Sequence, residues 1–221
     1  MIIKADHNSC FVFDLDDTLY SEIDYLKSGY NFIANEISPD QSENLYQQMM
    51  NIYMESGNAF KYLLEKFPEK NLTIEKLLYL YRNHNPLISL RIGVLNMLNE
   101  IKERNATIGV ITDGRGLTQR NKIQALGIMD YIDKLIISEE IGKSKPSPEL
   151  FNLFIEKENT QKQFYYFADN PAKDFIIPKK LSWCCIGVTV EDNIHSKKLF
   201  EFSHEFLPHI FIRDFTEIEI I

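Results

Sequence analysis

The sequence predicts an α/β fold built on a parallel sheet, interrupted near its start by an all-helical insertion. Three observations carry that prediction. Short, nearly continuous apolar runs recur along the chain, each stopping at a polar or acidic residue, as strands buried on both faces do. Between them lie segments with apolar residues at helical spacing, and alternation of this kind builds parallel strands joined by right-handed crossovers. Residues 20–85 break the pattern, since these 66 residues hold no convincing strand run and 155 remain for the α/β part.

Each element follows from its own residues. The first strand is 10–14, Cys-Phe-Val-Phe-Asp. The insertion reads as four helices separated near Pro39, Gly57 and 68–72, with Leu45, Met49, Ile52 and Tyr53, then Leu77, Leu78 and Tyr81, at helical spacing as bundle core. Ile92, Leu95, Leu98 and Ile101 share one helical face, and the strand 106–111 then runs into Thr112-Asp113-Gly114. Ile123 and Leu126 belong to a helix stopped by Gly127. The strand 134–137 ends at Ser138, 164–168 ends at Asp169, and 184–190 ends at Glu191. Ser147-Pro148 and Asn170-Pro171 each predict an N-cap with proline at the first helical position. Beyond His195 an aromatic-rich tail either finishes the sheet edge or covers it. The predicted organisation is a core of 1–19 and 86–221 with the helical insertion at 20–85.

Composition excludes several classes. Hydrophobic residues are 44% and charged residues 25%, the balance of a globular chain with ample core material. Lys plus Arg number 24 against 32 Asp plus Glu, a formal net charge of −8, so the basic footprint of a nucleic-acid binder is missing. The longest apolar stretch, 183–190, is far short of the roughly 18 residues of a spanning helix, so no membrane partner is expected. Asp6 and Lys4 place charge where a secretory signal would be apolar. Three cysteines, Cys10, Cys184 and Cys185, form no spaced framework, which fits a reducing cytoplasm.

The chemistry lies where the strands end. In an open parallel sheet, residues at the carboxyl ends of separate strands converge on one mouth. Here they are Asp14, Asp16, Asp17 and Thr18, then Thr112, Asp113 and Gly114, then Asp169 with Asp174 five residues on. Carboxylates gathered this closely repel one another, and oxygen ligands of this type favour Mg²⁺.

Four motifs stand in order: Asp14-Leu15-Asp16-Asp17-Thr18 after an apolar strand, Ile111-Thr112-Asp113-Gly114, the run from Gly142 through Lys145-Pro146 to Phe151, and Phe167-Ala168-Asp169-Asn170 through Asp174. The set resembles the haloacid dehalogenase (HAD) superfamily, with the helical insertion where that superfamily places its first type of cap. The resemblance implies a Rossmann-like core, Asp14 as a nucleophile that forms an aspartyl phosphate, and Asp16 as general acid and then base. It implies that the Asp14 carboxylate, the Asp16 carbonyl and Asp169 ligate Mg²⁺ with Asp174 in support. It places Thr112, with the amides of Asp113 and Gly114, on the phosphoryl oxygens, and Lys145 as the countercharge to nucleophile and phosphate.

Simpler readings stand beside these roles. Asp17 and Thr18 read as turn residues, Asp113 stands where many relatives of the superfamily carry Asn, and Lys143 rivals Lys145, which its following proline favours. Asp174 fits a first helical turn, and Arg115 and Gln119 suit either substrate contact or solvent. The five histidines show no ligand spacing. Because Asp16 is present, the resemblance implies a Mg²⁺-dependent phosphatase acting on a small phosphorylated metabolite, a sugar phosphate or nucleotide, rather than a dehalogenase. The alternatives are a phosphomutase on the same scaffold or a catalytically silent binding subunit.

Overall fold

Strand β1 (Ile2–Ile3) pairs in parallel with β8 (Glu219–Ile220) as a small separate ribbon. The main sheet of this computed structural model, which describes residues 1–155, 162–189 and 202–221, is entirely parallel among those residues. Its strands are β2 (Ser9–Phe13), β3 (Thr107–Thr112), β4 (Lys134–Ile137), β5 (Gln163–Ala168), β6 (Cys184–Val188) and β7 (Ile210–Ile212), in the spatial order β4-β3-β2-β5-β6-β7. The chain therefore builds outward from β2 in one direction through β3 and β4, then returns to its other side for β5, β6 and β7. That reversal opens a crevice at the carboxyl end of β2.

Every residue of β2 is buried, which is why its sequence reads as a continuous apolar run. In the β2–β5 register Phe11 faces Tyr165 and Phe13 faces Phe167, and both ring pairs stack with centroids 4.9 Å apart. Behind the sheet, Trp183 stacks on Phe164 at 4.6 Å and is met edge-on by Phe151 and Phe154. Phe154 also lies over Gly109 in β3, where an added Cβ would stand 2.2 Å from its ring. Gly109→Ala is therefore expected to cost about 1–3 kcal/mol by overpacking, read as a lower urea midpoint at unchanged slope.

The chain folds as two compact units, Met1–Glu22 with Ser89–Ile221, and Ile23–Ile88. Helices α1 (Glu22–Ile37), α2 (Ser42–Met54), α3 (Ala59–Lys66) and α4 (Ile74–Asn83) make up the second. They bury Ile33, Ala34, Leu45, Met49, Leu63 and Leu77. A 3₁₀ turn at Pro39–Gln41 breaks α1 from α2, Gly57 lies between α2 and α3, and Asn58 and Thr73 cap α3 and α4 through their side-chain oxygens. His84 is a core histidine, its Nδ1 2.7 Å from the Tyr81 carbonyl and its Nε2 3.0 Å from Ser28 Oγ.

The first unit holds α5 (Val94–Glu103), α6 (Gly116–Ala125), α7 (Ser138–Ile141), α8 (Pro148–Asn152) and α9 (Ile176–Lys180). Two expectations need correction. The buried face of α5 is Val94, Met97, Leu98 and Ile101, while Ile92 and Leu95 are exposed. Gly93, at φ +84°, starts the helix one residue beyond Ile92 and sets a different phase. Asn170-Pro171 does not open a helix. The Asn170 side chain accepts from Ala172 N at 3.1 Å and its carbonyl from Asp174 N at 3.0 Å, closing one turn, and α9 begins only at Ile176.

Ser147-Pro148 does start α8. Of the tail, β7 extends the sheet beside β6; Val190, Glu191 and His195 lie outside the described residues. The three cysteines are free, and burial pushes the Cys10 and Cys185 thiols up to about 12. Among the described residues no helix is long and apolar enough to cross a membrane.

Candidate active site

The crevice at the end of β2 is where the polar residues of the core collect. Asp14 follows β2 directly, its amide held by the Phe167 carbonyl of β5 at 2.8 Å. Asp169 follows β5, and the Asn170 turn returns Asp174 to the same point, where its carboxylate accepts from Asn170 N at 3.0 Å. Carboxylate oxygens of Asp14, Asp169 and Asp174 come within 4.8 Å of one another, and all three residues are buried.

Lys145 lies among them with a fully buried side chain, its Nζ 2.7 Å from Asp14 Oδ1 and 2.7 Å from Asp174 Oδ1. The Tyr166 hydroxyl donates to Asp174 at 3.2 Å. Burial pushes the Asp14 carboxyl up to about 6, with Lys145 opposing and the charge of Asp174 adding to the rise. Three carboxylates against one ammonium leave two negative charges in a dry site, the charge one divalent cation neutralises, and an all-oxygen donor set suits a hard cation. The residues thus fit a metal.

Asp16 is held elsewhere. Its Oδ1 takes Lys122 Nζ at 2.6 Å and the Tyr20 hydroxyl, and its Oδ2 takes Gln119 Nε2 at 2.8 Å. Burial alone would raise its pKa, but Lys122 and these hydrogen bonds outweigh burial and hold the carboxyl below the usual range. Of the four aspartates expected at a metal, the side chains of Asp14, Asp169 and Asp174 are brought together and that of Asp16 stands apart. Any contribution of Asp16 to an ion at that cluster would fall to its backbone carbonyl.

On the opposite flank Thr112, buried at the end of β3, accepts from Gln119 Nε2 at 2.6 Å. Asp113 accepts the Lys145 backbone N–H at 3.0 Å and Lys173 Nζ at 3.3 Å, so its carboxylate fastens the Lys145 loop. Gly114 donates its N–H to Ser138 Oγ at 2.9 Å. Asp17 is a turn residue: at φ 55° it accepts Glu22 N at the start of α1 (2.8 Å) and lies 3.5 Å from Arg91 Nη2. Lys143 and Arg115 are exposed.

Lys122, Tyr20 and Tyr166 went unread in the sequence. The signal for Lys122 lay in α6, where Gln119, Lys122 and Ile123 fall on one inward face while Leu117 is exposed. A helix that turns a glutamine and a lysine inward in place of apolar residues has polar partners waiting for them.

Fold and carboxyl-edge acids define the class first: an α/β enzyme that gathers buried carboxylates and a lysine at the switch point of a parallel sheet. Residues 11–188 match the Haloacid dehalogenase-like hydrolase family, and the chain belongs to that family. Glyceraldehyde 3-phosphate phosphatase of Methanocaldococcus jannaschii is 27% identical over 200 residues, covering 80% of this chain and 83% of the relative. Pyrimidine 5'-nucleotidase YjjG of Escherichia coli is 32% identical over 102 residues, 46% of this chain and 37% of the relative. Among solved structures, the HAD-hydrolase YfnB of Bacillus subtilis, bound to magnesium, superposes with a TM-score of 0.61 at 15% identity, covering 95% of this chain and 96% of that one.

Proposed function

We propose that the protein is a Mg²⁺-dependent phosphatase that hydrolyses a small phosphorylated metabolite through an aspartyl phosphate on Asp14. The observation that carries this is the buried carboxylate cluster with Lys145 2.7 Å from Asp14, since a buried aspartate balanced by an ammonium is a poised nucleophile. The helical unit Ile23–Ile88 is read as the cap expected of the family. The relatives named as phosphatases of small phosphorylated compounds support the substrate class.

An Asp14 carboxylate oxygen attacks phosphorus, forming an O–P bond as the ester P–O bond breaks, and Asp16 as the carboxylic acid passes its proton to the departing alkoxide. Asp16 then takes a proton from water, whose oxygen displaces Asp14 from phosphorus and releases inorganic phosphate with both side chains restored. The carboxylate form of Asp16, favoured by Lys122, is the one the second step needs. A phosphoryl dianion brought beside it raises its proton affinity, which supplies the acid form for the first step. Asp14 and Asp169, with Asp174 in support and the Asp16 carbonyl, would hold Mg²⁺, which when bound supplies charge neutralisation at the phosphoryl oxygens. Lys145 balances Asp14 before attack, and Thr112 with the Asp113 amide holds the phosphoryl oxygens, the Gly114 amide being donated to Ser138 Oγ.

The test is a phosphate-release screen over sugar phosphates and nucleotides, with Mg²⁺ or excess chelator. Turnover that chelator abolishes is expected, and activity unchanged by chelator refutes the metal assignment. A pH prediction follows as well. Proton and metal compete for the Asp14 oxygens, and that carboxyl lies at about 6 without metal. Mg²⁺ affinity is expected to be level above about pH 7 and to fall by up to about tenfold per pH unit below about 6, as one proton must be displaced. Calorimetric Mg²⁺ titrations across that range check it, and a flat affinity contradicts it.

A further inference from the structure

Gln119 stands in the first turns of α6, 1% exposed, with its amide between two residues of the site. Nε2 lies 2.8 Å from Asp16 Oδ2 and 2.6 Å from Thr112 Oγ1. An ionised carboxylate only accepts, so the amide end that faces it must be the NH₂, which has one hydrogen for each partner. Room for this side chain comes from Gly114, at φ +144°, where an added Cβ would stand 2.9 Å from Gln119 Cδ. Thr112, Gly114 and Gln119 therefore form one unit in which the glycine makes space for the glutamine to reach the threonine.

The two oxygens of Asp16 are anchored differently. Oδ1 is fixed by Lys122 and Tyr20 while Oδ2 is met by Gln119, so Gln119 sets the rotation of the carboxyl group about its anchored oxygen. Because Thr112 Oγ1 accepts from Gln119, its own hydrogen points away, toward the Asp113 carbonyl at 3.5 Å, the outer limit of a hydrogen bond. That hydrogen is available to a better acceptor.

We propose that Gln119 is a positioning residue that ties the orientation of the acid–base Asp16 to Thr112 and leaves the Thr112 hydroxyl as a donor to the transferred phosphoryl group. This rests on the phosphatase reading above.

The experiment compares Gln119→Met, which keeps length and loses the donors, and Gln119→Glu, which keeps shape, in the full chain with Mg²⁺. Values of kcat/KM are measured on an alkyl phosphate and on p-nitrophenyl phosphate, each in the unaltered and the Asp16→Asn background, with melting curves to show which variants fold. On the alkyl phosphate kcat/KM is expected to fall about 10–100-fold, because its leaving group needs the proton Asp16 delivers. With p-nitrophenyl phosphate, whose phenolate leaves unaided, the fall is expected to be only a few-fold. In the Asp16→Asn background the further loss on the alkyl phosphate should shrink to the few-fold seen with p-nitrophenyl phosphate, since only the part acting through Thr112 remains and residues acting as a unit are not additive. Inhibition by inorganic phosphate should weaken several-fold. Equal losses on both substrates, or losses that multiply with Asp16→Asn, overturn the proposal while leaving the phosphatase reading intact. Unchanged phosphate inhibition overturns the Thr112 half. Asp16→Asn that turns over the alkyl phosphate at the original rate overturns the role of Asp16 itself, and Gln119 with it.

Discussion

Asp14→Asn is expected to lower phosphate release by about four orders of magnitude or more, the scale seen when a covalent nucleophile is removed. An amide oxygen is a poor nucleophile, and neither Asp16 nor Asp169 can substitute, since Asp16 is held by Lys122 and Gln119 and Asp169 follows a different strand. The protein should remain folded. Lys145 keeps its contact with Asp174 at 2.7 Å, and the amide replaces a carboxyl that burial and Asp174 already hold at about 6, so an unfavourable ionisation disappears with the useful one. Rapid-quench experiments with a radiolabelled phosphoester check the assignment, because labelled protein should form in the parent and not in the variant. A variant that still releases phosphate at the parent rate rules out Asp14 as nucleophile.

The fold was legible in the sequence wherever burial on both faces left a continuous apolar run. Residues 10–14 and 164–168 each advertise a strand and the acid that ends it, so Asp14 and Asp169 could be brought to one sheet edge from sequence alone. Prolines and a glycine near the helix boundaries made the helices of 20–85 equally readable, and α1 to α4 change over near Pro39, Gly57 and Pro68. Short edge strands were not readable. Ile2–Ile3 and Ile210–Ile212 carry too few residues for a period, and the partner of the first lies at the other end of the chain. Within the site, motif spacing identified residues that end strands and missed those that arrive sideways. Lys122, on a helix face, meets Asp16 across 106 positions of sequence, and nothing local to Lys122 announces that partner. Tyr166 hid in an aromatic strand, where only the need of a buried hydroxyl for an acceptor pointed to Asp174. Asp174 itself was legible as a residue and not as a geometry, since a single Asn170-centred turn, rather than a helix, delivers it.

The second large effect belongs to Lys145→Met, which keeps the bulk of the side chain and removes its charge. Lys145 is fully buried between Asp14 and Asp174, so without a cation the variant leaves two carboxylates facing each other with their countercharge gone. Breaking a buried ion pair from one side costs about 3–5 kcal/mol, and loss of the electrostatic contribution at the phosphoryl group lowers kcat by about 10²–10³. In the parent, burial alone would lower the Lys145 pKa, but Asp14 and Asp174 outweigh it and raise it well above its ordinary value. A raised lysine contributes its full stabilisation below the unfolded value of about 10.4 and loses it only as pH climbs through the folded value, so the parent keeps this contribution across the neutral range. In the variant the Asp14 carboxyl, already at about 6 with Lys145 present, loses the main group holding it down and climbs further. The folded variant then binds more protons than the unfolded chain from about pH 4 upward through neutrality, so its stability falls as pH rises over that window. Mg²⁺ should restore more stability to the variant than it adds to the parent, because the cation then replaces the countercharge that Lys145 no longer supplies. Melting curves in chelator and in Mg²⁺, at about pH 5 and about pH 8, measure all three effects. A variant as stable as the parent in chelator at the higher pH would show that Lys145 is not what balances Asp14 and Asp174.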